Sequence, residues 1–137
     1  MQIKTFSATD ENMQAVNDFV HGMLPESCPL KVKNQIDLAV EEIYINIAHY
    51  AYRPQTGDVE IMCDVSPTEA GQTTLHAVFK DHGVQFDPLQ RQDPDITLAA
   101  DERDIGGLGI YLTKQFMDEV AYEYKDGCNI LSIKKSF

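Results

Sequence analysis

Residues 58–79 read DVEIMCDVSPTEAGQTTLHAVF. Val59, Ile61, Cys63 and Val65 alternate with Asp58, Glu60, Met62 and Asp64. Apolar residues at every second position turn one face of a strand to a core and the other to water. Pro67 to Gln72 supply a turn, and Thr73, Leu75, Ala77 and Phe79 then resume the alternation. Two such runs joined by a short turn predict a β-hairpin.

Upstream the period is that of helices. Gln2 to Ser7 fits a short edge strand, and Thr9 or Asp10 then offers a helix N-cap. Met13, Val16, Phe19, Val20 and Met23 follow at helical spacing. Pro25 and Pro29 separate this helix from a second, expected over about Leu30 to Tyr52 with Val32, Ile36, Ala39, Ile43, Ile47 and Ala51 on one stripe. Pro54 and Gly57 end it.

Downstream, Asp81 to Asp104 has little apolar periodicity, many charges and the dipeptides Asp87-Pro88 and Asp93-Pro94. A loop this long in a compact domain is often functional, for instance as a lid. Gly106-Gly107-Leu108-Gly109 closes it, and a helix to about Asp118 is expected with Leu108, Leu112 and Phe116 on one face. Val120–Tyr124 and Ile130–Lys135 read as a last hairpin, turned at Asp126-Gly127. The element order predicts an α/β (α+β) two-layer sandwich, a mostly antiparallel sheet covered on one face by helices. Strands do not alternate with helices throughout, which excludes a doubly wound fold. A length of 137 residues fits a single domain, 1–137.

The net charge of −11 repels phosphate backbones and anionic membranes, so direct nucleic-acid or membrane binding is not expected. Any role in transcription should run through another protein. Cys28, Cys63 and Cys128 are widely spaced with no CxxC, which fits reduced thiols in a cytoplasmic protein. The sequence has no apolar run fit for a signal peptide or a membrane helix.

Three segments carry candidate chemistry. In the second helix, Glu42 and Asn46 are four apart and share a face. Asn46 could be a solvated helix residue, or could offer an oxygen to Mg²⁺, with Glu42 one turn back as a base. Asp81-His82-Gly83 follows a strand. It reads as an ordinary turn, or as a buried acceptor for the amine of adenine, with Gly83 admitting the ring. Gly106, Gly107 and Gly109 precede or open a helix, where unpaired N–H groups and the helix dipole favour anions; a flexible junction is the alternative. Neither a P-loop nor a Rossmann setting is present.

Taken together, the order and spacing resemble the N, G1 and G2 boxes of the GHKL (histidine-kinase-like) superfamily, and within it the anti-sigma-factor serine/threonine kinases. The likeness runs from about Val32 to Ile133 through AVEEIYINIAHYAY (39–52), FKDHGVQFDPL (79–89) and GGLGIYLTKQFMDEV (106–120). The resemblance implies a Bergerat-type ATP-binding fold with ATP and Mg²⁺ as cofactors. It makes Asn46 the Mg²⁺ ligand, Glu42 the general base, and Asp81 with Gly83 the adenine site. Gly106, Gly107 and Gly109 become phosphate contacts, Leu89–Ile105 the lid, and Arg103 a lid residue within reach of a phosphate. It also suggests a homodimer. Two departures stand out: Tyr50 sits where relatives often carry His four residues after the Asn, and Gly127-Cys128-Asn129 stands where many have Gly-Thr. The function implied is a kinase that phosphorylates an anti-anti-sigma (STAS) partner. The alternative is an ATP-dependent module that sequesters a sigma factor or other regulator without phosphorylating it.

Overall fold

The computed structural model describes residues 1–90 and 108–137. Eight principal elements follow in order: β1 (Gln2–Ser7), α1 (Met13–His21), α2 (Leu30–Asn46), β2 (Asp58–Pro67), β3 (Thr73–Asp81), α3 (Leu108–Phe116), β4 (Glu119–Lys125) and β5 (Cys128–Ser136). The strands form one sheet in the order β1-β2-β3-β5-β4, every pairing antiparallel. The two-layer α/β sandwich is thus as the sequence implies. Asp126 and Gly127 both take positive φ in the two-residue turn between β4 and β5, as a tight hairpin requires.

Period-two alternation becomes a wall of the core. Val59, Ile61, Cys63, Leu75, Ala77, Phe79, Leu131 and Ile133 are buried against Val16 and Val20 of α1 and Ile36, Ala39, Val40 and Ile43 of α2. Burying one side chain of this size contributes about 1.5–3 kcal/mol, so this interface holds the layers together. No helix among the described residues is long and apolar enough to cross a membrane.

Three local expectations need correction. Neither Thr9 nor Asp10 caps α1 with its side chain; a 3₁₀ turn over Asp10–Asn12 precedes the helix. The fully buried Tyr44 anchors the backbone at this entry: its hydroxyl accepts from the Thr9 N–H (3.0 Å) and lies 2.6 Å from the Thr9 carbonyl, to which it donates. Asp10 pairs instead with His49 at 2.7 Å. Second, α2 gives way to a π-helical turn over Ile47–Ala51. Third, α3 buries Ile110, Thr113 and the following Met117, whereas Leu108 is exposed and Leu112 and Phe116 are half-buried. The helix is rotated so that Gly109 meets α2: a Cβ there would lie 2.1 Å from Glu42 Cδ.

Candidate functional site

Sheet register builds the inner end of the site. Val59 pairs with Asp81, and Asp81 pairs with Asn129, so the two polar residues stand side by side on the helix-covered face. One row inward, Phe79 pairs with Leu131 and Leu131 with Tyr122. These rows and the end of α2 enclose a cavity of about 470 Å³, part of it open to solvent. Its apolar walls come from Ile43, Ile47, Ala51, Phe79, Ile110 and Leu131, its polar groups from Asn46, Asp81, Tyr122 and Asn129. Tyr50, Val84 and Phe86 form the rim and are 61, 68 and 52% exposed. A mostly apolar cleft with a few convergent polar groups suits a flat heteroaromatic base.

Asp81 is 4% exposed. Its Oδ1 accepts from the Gly83 N–H (2.9 Å), the local turn expected of Asp-x-Gly, and from Asn129 Nδ2 (2.9 Å). Among the described residues no donor reaches Oδ2, which is left to the cavity. The next residue is pinned as well: the His82 N–H donates to the Tyr52 hydroxyl (2.8 Å), which itself donates to the Asp58 carbonyl (2.6 Å).

Gly83 is required by packing. The π-helical turn leaves the Ala51 carbonyl free to accept the Val84 N–H at 2.9 Å, and a Cβ on Gly83 would sit 2.2 Å from that oxygen. Backbone cannot swing aside as a side chain can. Gly83→Ala is therefore expected to destabilise the fold by about 1–3 kcal/mol, a fall in Tm of roughly 3–10 °C by thermal unfolding.

At the other end, Asn46 lines the cavity, and Glu42 lies half-buried one turn earlier on α2, its carboxylate against Gly109. The structure thus brings together Glu42, Asn46, Asp81, Gly83 and Gly109. Arg103, Gly106 and Gly107, and the lid beyond Gln90, lie outside the described residues. Crowding at Gly109 is with the far end of a flexible side chain. In a Glu42→Ala background, Gly109→Ala is expected to raise Tm by a few degrees, because alanine exceeds glycine by about 1 kcal/mol in a helix. With Glu42 present the gain should vanish, which a double-mutant cycle in thermal unfolding reads directly.

Tyr122, Tyr52 and the Ala51 carbonyl were not anticipated as site groups. The signal for Tyr122 was its place two residues from Val120 on a strand, which puts both on one face. Burial pushes the Tyr122 hydroxyl above its ordinary pKa, so it is a donor at neutral pH. His49, two residues beyond Ile47, is occupied by Asp10.

An antiparallel sheet under helices, with a buried carboxylate at the inner end of a mostly apolar cleft and Asn46 on its α2 wall, is an α/β frame suited to holding a small aromatic ligand. The chain belongs to the histidine kinase-like ATPase domain family, whose profile matches residues 6–135. Membership makes this an ATP-binding domain. It is 26% identical over 113 residues to the serine/threonine-protein kinase BtrW of Bordetella bronchiseptica, covering 82% of this chain and 77% of that protein. It is 29% identical over 106 residues to the serine-protein kinase RsbW of Bacillus licheniformis, covering 72% of this chain and 62% of that protein. A chain of the SiaB–SiaC complex from Pseudomonas aeruginosa aligns over 98% of this chain and 89% of its own length, at 16% identity and a TM-score of 0.48.

Proposed function

We propose that residues 1–137 act as one ATP-binding domain of a cytoplasmic protein kinase that phosphorylates a serine or threonine of a STAS-type anti-anti-sigma partner. The base occupies the Asp81 cavity, and the phosphates run along α2 toward the start of α3. What carries this reading is the order of groups along one wall. Ala51 touches the loop after Asp81, Asn46 follows, and Glu42 comes next, against Gly109. At 1.5 Å per helical residue, Ala51 to Glu42 spans roughly 13 Å, about the reach of a nucleoside triphosphate. The relatives named as serine and serine/threonine kinases support transfer to a protein hydroxyl.

The residues present fit the cofactors. Asp81 Oδ2 would offer an acceptor to an exocyclic amine, and Asn46 would offer a hard oxygen of the kind Mg²⁺ prefers. When bound, the ion neutralises charge on the phosphates. Glu42 would take the proton of the partner's serine or threonine hydroxyl, whose oxygen would form the new bond to the γ-phosphorus while ADP carries away the electron pair of the broken one. The resemblance supports Gly106, Gly107, Gly109 and Arg103 as phosphate contacts, and a homodimer.

The test is incubation with Mg²⁺, γ-labelled ATP and a STAS-domain protein from the same organism. Label on one serine or threonine of the partner, located by mass spectrometry, is the expected result. Label that stays on ATP while the partner is retained in an ATP-dependent way would replace the kinase with a sequestering module. The exposed rim of Tyr50, Val84 and Phe86 favours that second reading, because clustered exposed apolar groups mark binding surfaces.

A further inference from the structure

Glu42 is half-buried on α2, one turn from Asn46, and its carboxylate lies in contact with Gly109 in the first turn of α3. The glycine permits this approach, because a Cβ there would overlap both Cδ and Oε2 of Glu42. Among the described residues no hydrogen bond or ion pair holds the carboxylate in place. What favours the position is the helix start, whose first N–H groups have no partner within the helix and whose dipole attracts an anion. An internal anion thus lies against the part of α3 toward which the proposed reading directs the phosphates.

We infer that Glu42 sets the preference of the site between a nucleoside diphosphate and a triphosphate, because its carboxylate and the third phosphoryl group compete for the start of α3. The inference rests on the reading that the base lies in the Asp81 cavity and the phosphates run past Asn46. At 1.5 Å per helical residue, Asn46 lies roughly 7.5 Å along α2 from Ala51, and Glu42 roughly 6 Å further. A diphosphate ends beside Asn46 and leaves Glu42 against Gly109. A triphosphate reaches the next turn of α2 and meets a carboxylate there. Two anions in one half-buried place repel strongly, so the carboxylate has to leave α3. The group that would take the hydroxyl proton is then released by the same phosphoryl group that receives the oxygen. With a diphosphate bound, the base stays against α3 and idle.

The probes are ADP and β,γ-imido-ATP, which carries a third phosphoryl group that it does not transfer. Their dissociation constants would be measured by calorimetry with Mg²⁺ on wild type and on Glu42→Gln, Glu42→Ala and Glu42→Asp. ADP affinity is expected to stay within a few-fold of wild type throughout. In Glu42→Gln and Glu42→Ala the competing charge is gone, and β,γ-imido-ATP should bind about 10-fold more tightly. Glu42→Asp separates competition for one place from repulsion at a distance. It keeps the charge on the same turn of α2, but its side chain is one methylene too short to lie against Gly109. Competition predicts that Glu42→Asp also tightens β,γ-imido-ATP, by about 5-fold or more. Wild-type affinity in Glu42→Asp would mean that only distant repulsion acts, and would overturn the inference. Unchanged β,γ-imido-ATP binding in Glu42→Gln and Glu42→Ala, or equal tightening of both nucleotides, would overturn it too. Wild type that binds neither nucleotide would instead refute the nucleotide reading itself.

Discussion

Replacing Glu42 with alanine is expected to lower phosphoryl transfer to the partner hydroxyl by about 10²–10⁴-fold, the usual contribution of a positioned base, while ADP affinity stays within a few-fold of wild type. The geometry separates the two effects. Glu42 does not line the cavity proposed for the base; its carboxylate lies beside the first turn of α3. No hydrogen bond to a neighbour ties it down among the described residues, so it is free to serve an incoming hydroxyl. Removing it creates no buried unpaired partner, and the fold should tolerate the change. Single-turnover transfer from labelled ATP, alongside ADP calorimetry, measures both quantities on one preparation. Transfer at the wild-type rate would strip Glu42 of its role. A loss of binding equal to the loss of transfer would move Glu42 from the chemistry to nucleotide recognition.

Asp81→Asn is expected to invert base preference rather than merely weaken binding. Both groups that face Oδ1, the Gly83 N–H and Asn129 Nδ2, are donors. They therefore hold the new carbonyl oxygen where Oδ1 was, and the new amide nitrogen is turned toward the cavity. There it opposes the amine of adenine, donor to donor, and matches the 6-carbonyl of hypoxanthine, the base of inosine diphosphate (IDP), whose N1–H is a second difference on that edge. ADP affinity should fall by about 100-fold or more, and IDP should become the better ligand. Because both internal hydrogen bonds persist, Tm without ligand should stay close to wild type. A uniform loss of both nucleotides would show that Asp81 orders the loop and does not read the base.

The parts of the fold that rest on period and turn chemistry were legible. The β2–β3 hairpin follows from alternation over residues 58–79, and the β4–β5 turn from Asp126-Gly127. That Asp81 and Asn46 would be candidate residues was legible, because a carboxylate at a strand end and an amide on a helix face are chemically pointed residues in a recognisable order; the structure places both on one cavity. What escaped depended on tertiary contacts. The inward face of α3 was misread because the close approach of Gly109 to Glu42, not the densest apolar stripe, sets its rotation. The first helix start was misread because a 3₁₀ turn over Asp10–Asn12 intervenes, and the chain entering it is held by Tyr44, thirty-five positions from Thr9, a contact no local pattern announces. The Asn129 amide gained its meaning only from register: Asp81 opposite, Tyr122 on the neighbouring strand, and a loop folded back over both. The π-helical turn at Ile47–Ala51 has no signal in an otherwise regular helical period, yet it presents the Ala51 carbonyl that holds Val84.

The most direct test of the whole account is a calorimetric titration of ADP, with GDP as control, into the wild-type protein in the presence of Mg²⁺. The account predicts saturable binding of ADP at one site per chain and no binding of GDP at the same concentrations. No heat with ADP at millimolar concentration, or equal binding of ADP and GDP, would contradict it.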